Sequence, residues 1–311
     1  ALAFGSFNYI SQDGNYLDAE ESVNYLDRYE SGLEAPHGAC TLIDRKKFLA
    51  EGLYFEDVDA QDGWDLWLKC YPKYDFIAID EPLFCYRQHQ NSLSRNTDRI
   101  YRARRKLVDL NLKTLPNNGV QVIIPAGIDL NFETKNVRNH LHKLLSAINE
   151  SKHLQKPIIT IDNEYQFEIT QKLDLDIEIK FTGESFIHGM SPFKLLDKFP
   201  LISDGKMWIN FNSNSINSQI LDDAVKTFWK FNLDTCISVV EQREPVFKLT
   251  AQGLKSLSDG RYADYKLKTD ELWRMNNVLV ISRINFSNHI FDGNVGYFEM
   301  SAEESVLINE W

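Results

Sequence analysis

Between Val120 and Asp162 the chain passes from an apolar stretch, Val120-Gln-Val-Ile-Ile-Pro125, through a helical pattern into a second apolar stretch, Pro157-Ile-Ile-Thr-Ile-Asp162. In the middle segment, 140–150, Leu141, Leu144, Leu145 and Ile148 recur at i, i+3, i+4 and i+7, one face of a helix. Antiparallel strands can be joined by a two-residue turn, whereas parallel strands need a long crossover, usually a helix. Strand, helix, strand at this spacing therefore predicts a βαβ unit in a mostly parallel sheet. Further strands are predicted at 207–211, 235–240 and 278–284, and a helix at 221–231.

Ahead of that unit stands Thr114-Leu-Pro-Asn-Asn-Gly119, a cluster of breakers that marks a boundary. Upstream, residues 3–10 are apolar and aromatic and end at Gln12-Asp13-Gly14-Asn15. Asp-Gly tolerates the positive φ of a tight turn, so a strand entering a turn is predicted there. Over 95–110, Ile100, Ala103, Leu107 and Leu110 keep helical spacing on one face, and Arg95, Arg99, Arg102 and Arg105 line another. The basic stripe has two readings: a solvated helix face, or a seat for phosphates or an anionic membrane surface. The polar run from Asn210 to Ser218 is too short for a low-complexity domain, and no internal repeat occurs. The expectation is two α/β modules in series, 1–110 and 120–311, joined by a linker at 111–119.

Composition narrows the function. A chain of 311 residues exceeds one ordinary domain of roughly 100–200. Asp and Glu number 45 against 34 Lys and Arg, a net charge of −11, which argues against a nucleic-acid partner because binding a polyanion needs surplus cation. No apolar run reaches the ~18 residues of a bilayer span. Cys40, Cys70, Cys85 and Cys236 form no C-x-x-C pair and read as reduced, mostly buried thiols of a cytoplasmic protein. The sequence opens at Ala1 inside a strand-like run, with neither initiator Met nor signal peptide, and reads as a piece of a longer protein.

Three separated blocks of the first module carry chemistry: Pro36-His-Gly-Ala-Cys-Thr-Leu-Ile-Asp-Arg45, Gln61-Asp-Gly-Trp-Asp-Leu-Trp-Leu-Lys69 and Tyr86-Arg-Gln-His-Gln-Asn-Ser-Leu-Ser94. Trp64, Trp67, Leu68 and Tyr71 fall on one aromatic helix face, with Asp62 at the helix start and Asp65 one turn on. Asp62 can be read as an N-cap, a role that suits Asp, or as a general base for an acceptor hydroxyl. Together the blocks resemble the C-terminal half of a family 2 glycosyltransferase. That resemblance implies an incomplete GT-A-like fold, a nucleotide-sugar donor, a carbohydrate acceptor and an inverting mechanism. It also implies a divalent ion, Mg2+ or Mn2+, in the intact enzyme. By the same resemblance Asp62 is the catalytic base. Arg87 and His89 lie near the donor diphosphate, where a cation stabilises the leaving group, and Gln61 and Asp65 share the cleft. Outside the motif, His89 would read as a structural histidine. The family's nucleotide-binding half, with its acidic metal-binding pair, should precede Phe4-Gly-Ser-Phe-Asn-Tyr9 and is not in this sequence, so no metal ligand is assigned.

Residues 120–311 resemble the cytidylyltransferases that make CMP-sialic acid and related activated acid sugars. The likeness rests on Ile123-Ile-Pro-Ala126, Lys135-Asn-Val-Arg138, Leu144-Leu145, Ser151, Ile159-Thr-Ile-Asp162, Ile237-Ser-Val-Val-Glu241 and the tail from Gly296 to Val306. It implies a three-layer nucleotidyltransferase-like fold, with nucleotide contacts at Pro125, Ala126, Lys135 and Asn136. Two departures stand out. The phosphate loop of the family carries an Arg, small residues and a Lys, and here it reads Gly127-Ile-Asp-Leu-Asn-Phe-Glu-Thr134. The family's two metal-holding aspartates are Leu307 and Asn309 here, and neither is a charged oxygen ligand.

Three readings of function follow. The chain is part of a glycosyltransferase of surface polysaccharide or glycoconjugate synthesis with a degenerate nucleotidyltransferase domain, or an active cytidylyltransferase making a CMP-sugar, or a non-catalytic assembly module. Contact with the cytoplasmic face of a membrane and self-association are further expectations. No Walker loop, G-x-G-x-x-G, H-E-x-x-H or G-x-S-x-G occurs, which leaves ATPase, dehydrogenase, zincin and serine-hydrolase readings without support.

Overall fold

A computed structural model describes residues 2–20, 33–71, 73–89, 92, 94, 96–116, 118–126, 130–173, 175–181, 191–201, 203–242, 246–250, 253–256, 272–283 and 293–308. The chain forms two compact units, Ala1–Asn111 with Glu241–Arg274, and Leu112–Val240 with Met275–Trp311. Among the described residues no helix is long and apolar enough to cross a membrane.

The first unit is organised around one strand, β1 (Leu2–Ile10). The turn after it leads into β2 (Tyr16–Glu20), which pairs antiparallel with Phe7–Ile10. A 3-10 turn at Gly38–Cys40 leads into β3 (Thr41–Ile43), antiparallel to the other end of β1. Helix α1 (Arg45–Ala50) starts at Asp44, whose carboxylate accepts from the Lys46 and Lys47 N–H groups as an N-cap. Helix α2 (Asp62–Cys70) precedes β4 (Phe76–Arg87), which runs parallel to β1 along its full length, and α3 (Thr97–Asn111) follows.

In a regular strand Leu2 and Phe4 would face one way and Phe7 and Tyr9 the other, yet none of the four is more than 3% exposed. The pairing with β4 slips on both sides of Ser6, opposite Pro82. Proline cannot donate to a ladder, so an irregularity belongs there. Below the break Leu2 packs with Leu66 and Cys70, and Phe4 meets the Trp67 ring edge to face at 6.0 Å. Above it Phe7 and Tyr9 pack with Cys40, Phe84 and Tyr86. Leu42, Ala3 and Ile77 are cross-strand neighbours, and Leu42 and Ile77 are exposed.

The second unit begins with β5 (Gln121–Ala126), α4 (Lys135–Glu150) and β6 (Ile158–Ile161), the βαβ unit read from the sequence. It continues through α5 (Glu164–Gln171), β7 (Glu178–Phe181), α6 (Pro192–Asp197), β8 (Lys206–Ile209), α7 (Ser218–Lys230) and β9 (Thr235–Glu241). The short hairpin of β10 (Phe247–Thr250) and β11 (Gly253–Ser256) is part of the first unit. Strands β12 (Trp273–Ser282) and β13 (Val295–Glu299) complete a seven-stranded sheet ordered β13-β9-β12-β8-β5-β6-β7. Strands β8, β5, β6 and β7 are mutually parallel, β13 is parallel to β9, and β12 runs antiparallel to β8. This is the α/β class with a parallel-dominated sheet that the periodicity predicted. Ile123, Ile158, Trp208 and Val280 are neighbours across four strands, and Phe193, Leu195 and Leu196 of α6 cover them. The alternate residues Val122, Ile124, Met207, Ile209, Leu279 and Ile281 are equally buried, as a sheet covered on both faces requires.

Phe4→Ala should cost about 3–5 kcal/mol, because the Trp67 face would keep a cavity. Ile77→Thr, on the exposed row, should cost less than ~1 kcal/mol. Urea denaturation of the two variants checks the contrast.

Candidate active site

Helix α2 begins at Asp62, and its N-cap is Gln61, whose backbone is left-handed (φ 65°, ψ 34°) and whose side chain makes no capping bond. Asp62 is therefore the first helical residue rather than the cap, which removes the capping role as its explanation. An acidic side chain in the first turn is still favoured by the helix dipole. The Asp62 side chain is exposed.

What lies beside it is set by two glycines. A β-carbon on Gly63 would stand 2.8 Å from the Gly38 nitrogen and 3.1 Å from the Pro36 oxygen. One on Gly38 would stand 3.2 Å from the Gly63 Cα and 3.4 Å from the Asp62 Oδ2. The Pro36-His-Gly-Ala turn and the start of α2 therefore meet main chain to main chain, with the Asp62 carboxylate on the rim of the contact. The third block joins through His37, whose ring lies 5.1 Å from Phe84, 4.9 Å from Tyr86 and 5.3 Å from Phe7. Three blocks that are far apart in sequence thus converge.

The other predicted residues are placed as follows. Arg87 ends β4 and donates Nη1 to the Ser11 and Gln12 carbonyls at 3.2 and 2.7 Å, holding the β1–β2 turn. His89 forms a tight turn with Ser92, accepting from the Ser92 N–H and donating its own N–H to the Ser92 Oγ. Asp65 does not open into a cleft. It is 2% exposed, and both its oxygens lie 2.9 Å from the Lys69 Nζ. Its Oδ2 also accepts from the Phe55 N–H at 3.0 Å. Lys69 donates to the Leu53 carbonyl at 2.5 Å and lies 3.6 Å above the Phe55 ring, so the pair pins the segment 53–55 to α2. That segment carries Tyr54, which the sequence did not single out. Burial first, then the charges of Asp62 and Asp65, hold its hydroxyl above the ordinary phenol value.

In the second unit β5 lies between β6 and β8, so the chain turns one way out of β5 and the other way out of β8. In open α/β sheets ligands bind beyond the C-terminal ends of the strands at such a switch point. Pro125 and buried Ala126 end β5, and Lys135 and Asn136 open α4 with both side chains exposed. These four sequence candidates share one end of the unit. Residues 127–129, and with them Asp129, lie outside the described residues, as do Asn309 and Arg95. Glu133 accepts from the Tyr165 hydroxyl at 3.0 Å, a bond that raises the phenol's pKa, and the Phe132 N–H donates to the Gln166 Oε1.

The polar run after β8 proved more structured than its composition suggests. Phe211, Ser213 and Ile216 in it are buried, and Asn217 caps α7 through the Ile220 N–H. The Phe211 ring meets Phe132 edge to face at 6.0 Å. Buried His140 of α4 lies 5.3 Å from the same ring and 2.6 Å, through Nε2, from the Phe211 carbonyl. Leu307 forms a bridge with Ser213. Phe132 and Phe211, an aromatic residue in each loop, were the signal available in sequence. They stitch together the two loops that leave the sheet at the switch point. Among the described residues no three His, Cys, Asp or Glu side chains gather as a cation cage. The described residues therefore do not fit the divalent ion that the resemblances imply, and no step is routed through it.

No protein-family model matches the chain, and no curated protein matches it. Among solved structures it is similar to 4-diphosphocytidyl-2C-methyl-D-erythritol synthase from Anaerococcus prevotii, at 13% identity and a TM-score of 0.43, over 61% of this chain and 90% of that one. It is also similar to CMP:2-keto-3-deoxy-manno-octonic acid synthetase complexed with CTP, at 11% identity and 0.43, over 60% and 91%. A further 4-diphosphocytidyl-2C-methyl-D-erythritol synthase aligns at 9% identity and 0.43, over 62% and 94%.

Two outcomes follow from the geometry. Asp65→Ala should cost about 3–5 kcal/mol in denaturant, since it leaves Lys69 buried and unpaired. His140 has its pKa lowered by burial, so the folded state resists a proton that the unfolded chain accepts. Stability from this group is full above the unfolded value of about 6.5 and declines as pH falls below it. His140→Gln should flatten the fall in urea midpoint between pH 7 and pH 5 relative to wild type.

Proposed function

We propose that the first unit is the acceptor side of a glycosyl-transfer site in which Asp62 is the general base. The supporting observation is the close approach of the first two blocks at the Gly38–Gly63 contact, with the third joined through His37, which leaves an exposed carboxylate at a helix start beside Gly38. An acceptor hydroxyl of a carbohydrate would lose its proton to an Asp62 oxygen as its own oxygen bonds to the sugar's anomeric carbon. The bond from that carbon to the donor phosphate breaks, and a nucleoside diphosphate leaves. One such displacement inverts the anomeric centre. Arg87 acts by holding the β1–β2 turn in place. Asp65 and Lys69 hold the segment carrying Tyr54 against the same helix. The donor is a nucleotide sugar, and Mg2+ or Mn2+ is its expected counter-ion in the complete enzyme.

In the full-length protein, assayed with a panel of UDP- and GDP-sugars and carbohydrate acceptors, Asp62→Asn should lower kcat by roughly 10²–10⁴ while leaving the melting midpoint in place. Retained transfer by a folded Asp62→Asn protein would remove the base from Asp62.

A second reading places cytidylyl transfer in the second unit. It is favoured by exposed Lys135 and Asn136 at the start of α4 beside the C-terminal end of β5, a position suited to phosphate. Against it stand the Phe132–Phe211 contact and Leu307 where the resemblance calls for an aspartate. Calorimetric titration with CTP should show only weak binding that Mg2+ does not improve. Micromolar, Mg2+-dependent binding would establish the second reading instead.

A further inference from the structure

Basic residues of α3, Arg99 of the stripe with Arg104 and Lys106 beside it, are engaged with the segment that leads into Asp62 and meet alternate residues of it. The Lys106 Nζ donates to the Asp57 carbonyl at 2.8 Å. The Arg99 Nε lies 2.9 Å from the Asp59 Oδ2, and its Nη2 donates to the Asp59 carbonyl. The Nε bond to the carboxylate is the leading cause holding the Asp59 carboxyl below its ordinary value. The Arg104 Nε donates to the Gln61 Oε1 at 3.1 Å, and its guanidinium lies 5.7 Å over the Trp64 ring. Gln61 is the residue that most needs such support. It holds a left-handed backbone at φ 65°, a conformation that non-glycine residues rarely adopt, and its own side chain does not cap the helix it opens.

We infer that Arg104 is a positioning residue for Asp62: by holding the Gln61 side chain and covering Trp64, it fixes the left-handed entry to α2 and so the direction of the Asp62 carboxylate. Arg99 and Lys106 anchor the same segment upstream. Arg99, Arg104 and Lys106 together are thus a clamp on the catalytic loop. A guanidinium suits the task because its planar fork can donate a hydrogen bond while its face rests on an indole. Its role in transfer rests on the reading of Asp62 as the base, whereas the clamp itself can be observed without any reaction.

The test compares the full-length wild type with Arg104→Met, which keeps apolar cover on Trp64 but has no donor for Gln61. Hydrogen exchange of the 61–65 amides, followed by mass spectrometry, should quicken at least about tenfold, with exchange in the second unit unchanged. In transfer assays with the UDP-sugar panel, kcat should fall roughly 10- to 100-fold while the acceptor KM and the melting midpoint stay put, the pattern of a misaimed base. Arg104→Lys should recover part of the rate. Should Arg104→Met fail to fold, Gln61→Ala removes the same hydrogen bond from the other side and must give the same exchange and kcat changes. Unchanged exchange at 61–65 in the folded variant would overturn the clamp, whatever Asp62 does. Quickened exchange together with full activity of Asp62→Asn would uphold the clamp and overturn the base.

Discussion

The main chains of Gly38 and Gly63 approach so closely that a β-carbon on Gly63 would clash and one on Gly38 would be tight. Everything proposed for the first unit depends on that contact. It brings the turn that begins at Pro36 onto the first residues of α2, places His37 against the aromatic rings of β4, and leaves the Asp62 carboxylate at the edge. The aromatic face of α2 packs on β1 below, so the helix cannot tilt away without opening the Phe4–Trp67 contact. The Asp65–Lys69 pair does a different job. It is buried, and its partners are the main chain and ring of residues 53–55, which makes it a brace for the loop rather than part of a cleft.

The strands of the second unit order around β5, and the candidates Pro125, Ala126, Lys135 and Asn136 gather at the expected end. Yet the loop after β8 is drawn in by Phe211, which meets Phe132 on one side and His140 on another. Apolar contacts of this kind stabilise the loops and offer a phosphate nothing to bind. Lys135 and Asn136, at the start of α4, stay exposed.

Much of this was legible in the sequence because periodicity reports burial. The predicted segments at 140–150 and 221–231 are helical, and those at 207–211, 235–240 and 278–284 coincide with strands apart from their ends. The pairing slip around Ser6 could be anticipated only from Phe4 and Phe7 standing at odd spacing, a cue that needs knowledge of the partner strand and of Pro82. Side-chain fates were less legible. Asp62 and Asp65 look alike in sequence, three residues apart on a helix, and only the packing of 53–55 separates an exposed carboxylate from a braced one. Likewise the arginines of α3 read as a solvated stripe or an anion seat. What engages Arg99, and Arg104 beside the stripe, is Asp59 and Gln61, which lie forty or more residues upstream.

The central claim is that an acceptor hydroxyl meets Asp62. It is tested most directly by a crystal structure of the full-length protein with a nucleoside diphosphate and a saccharide acceptor bound. The account predicts an acceptor oxygen about 2.6–3.2 Å from an Asp62 carboxylate oxygen, beside the Gly38–Gly63 contact. An acceptor bound with its hydroxyl against another carboxylate, and Asp62 facing only solvent, would contradict it.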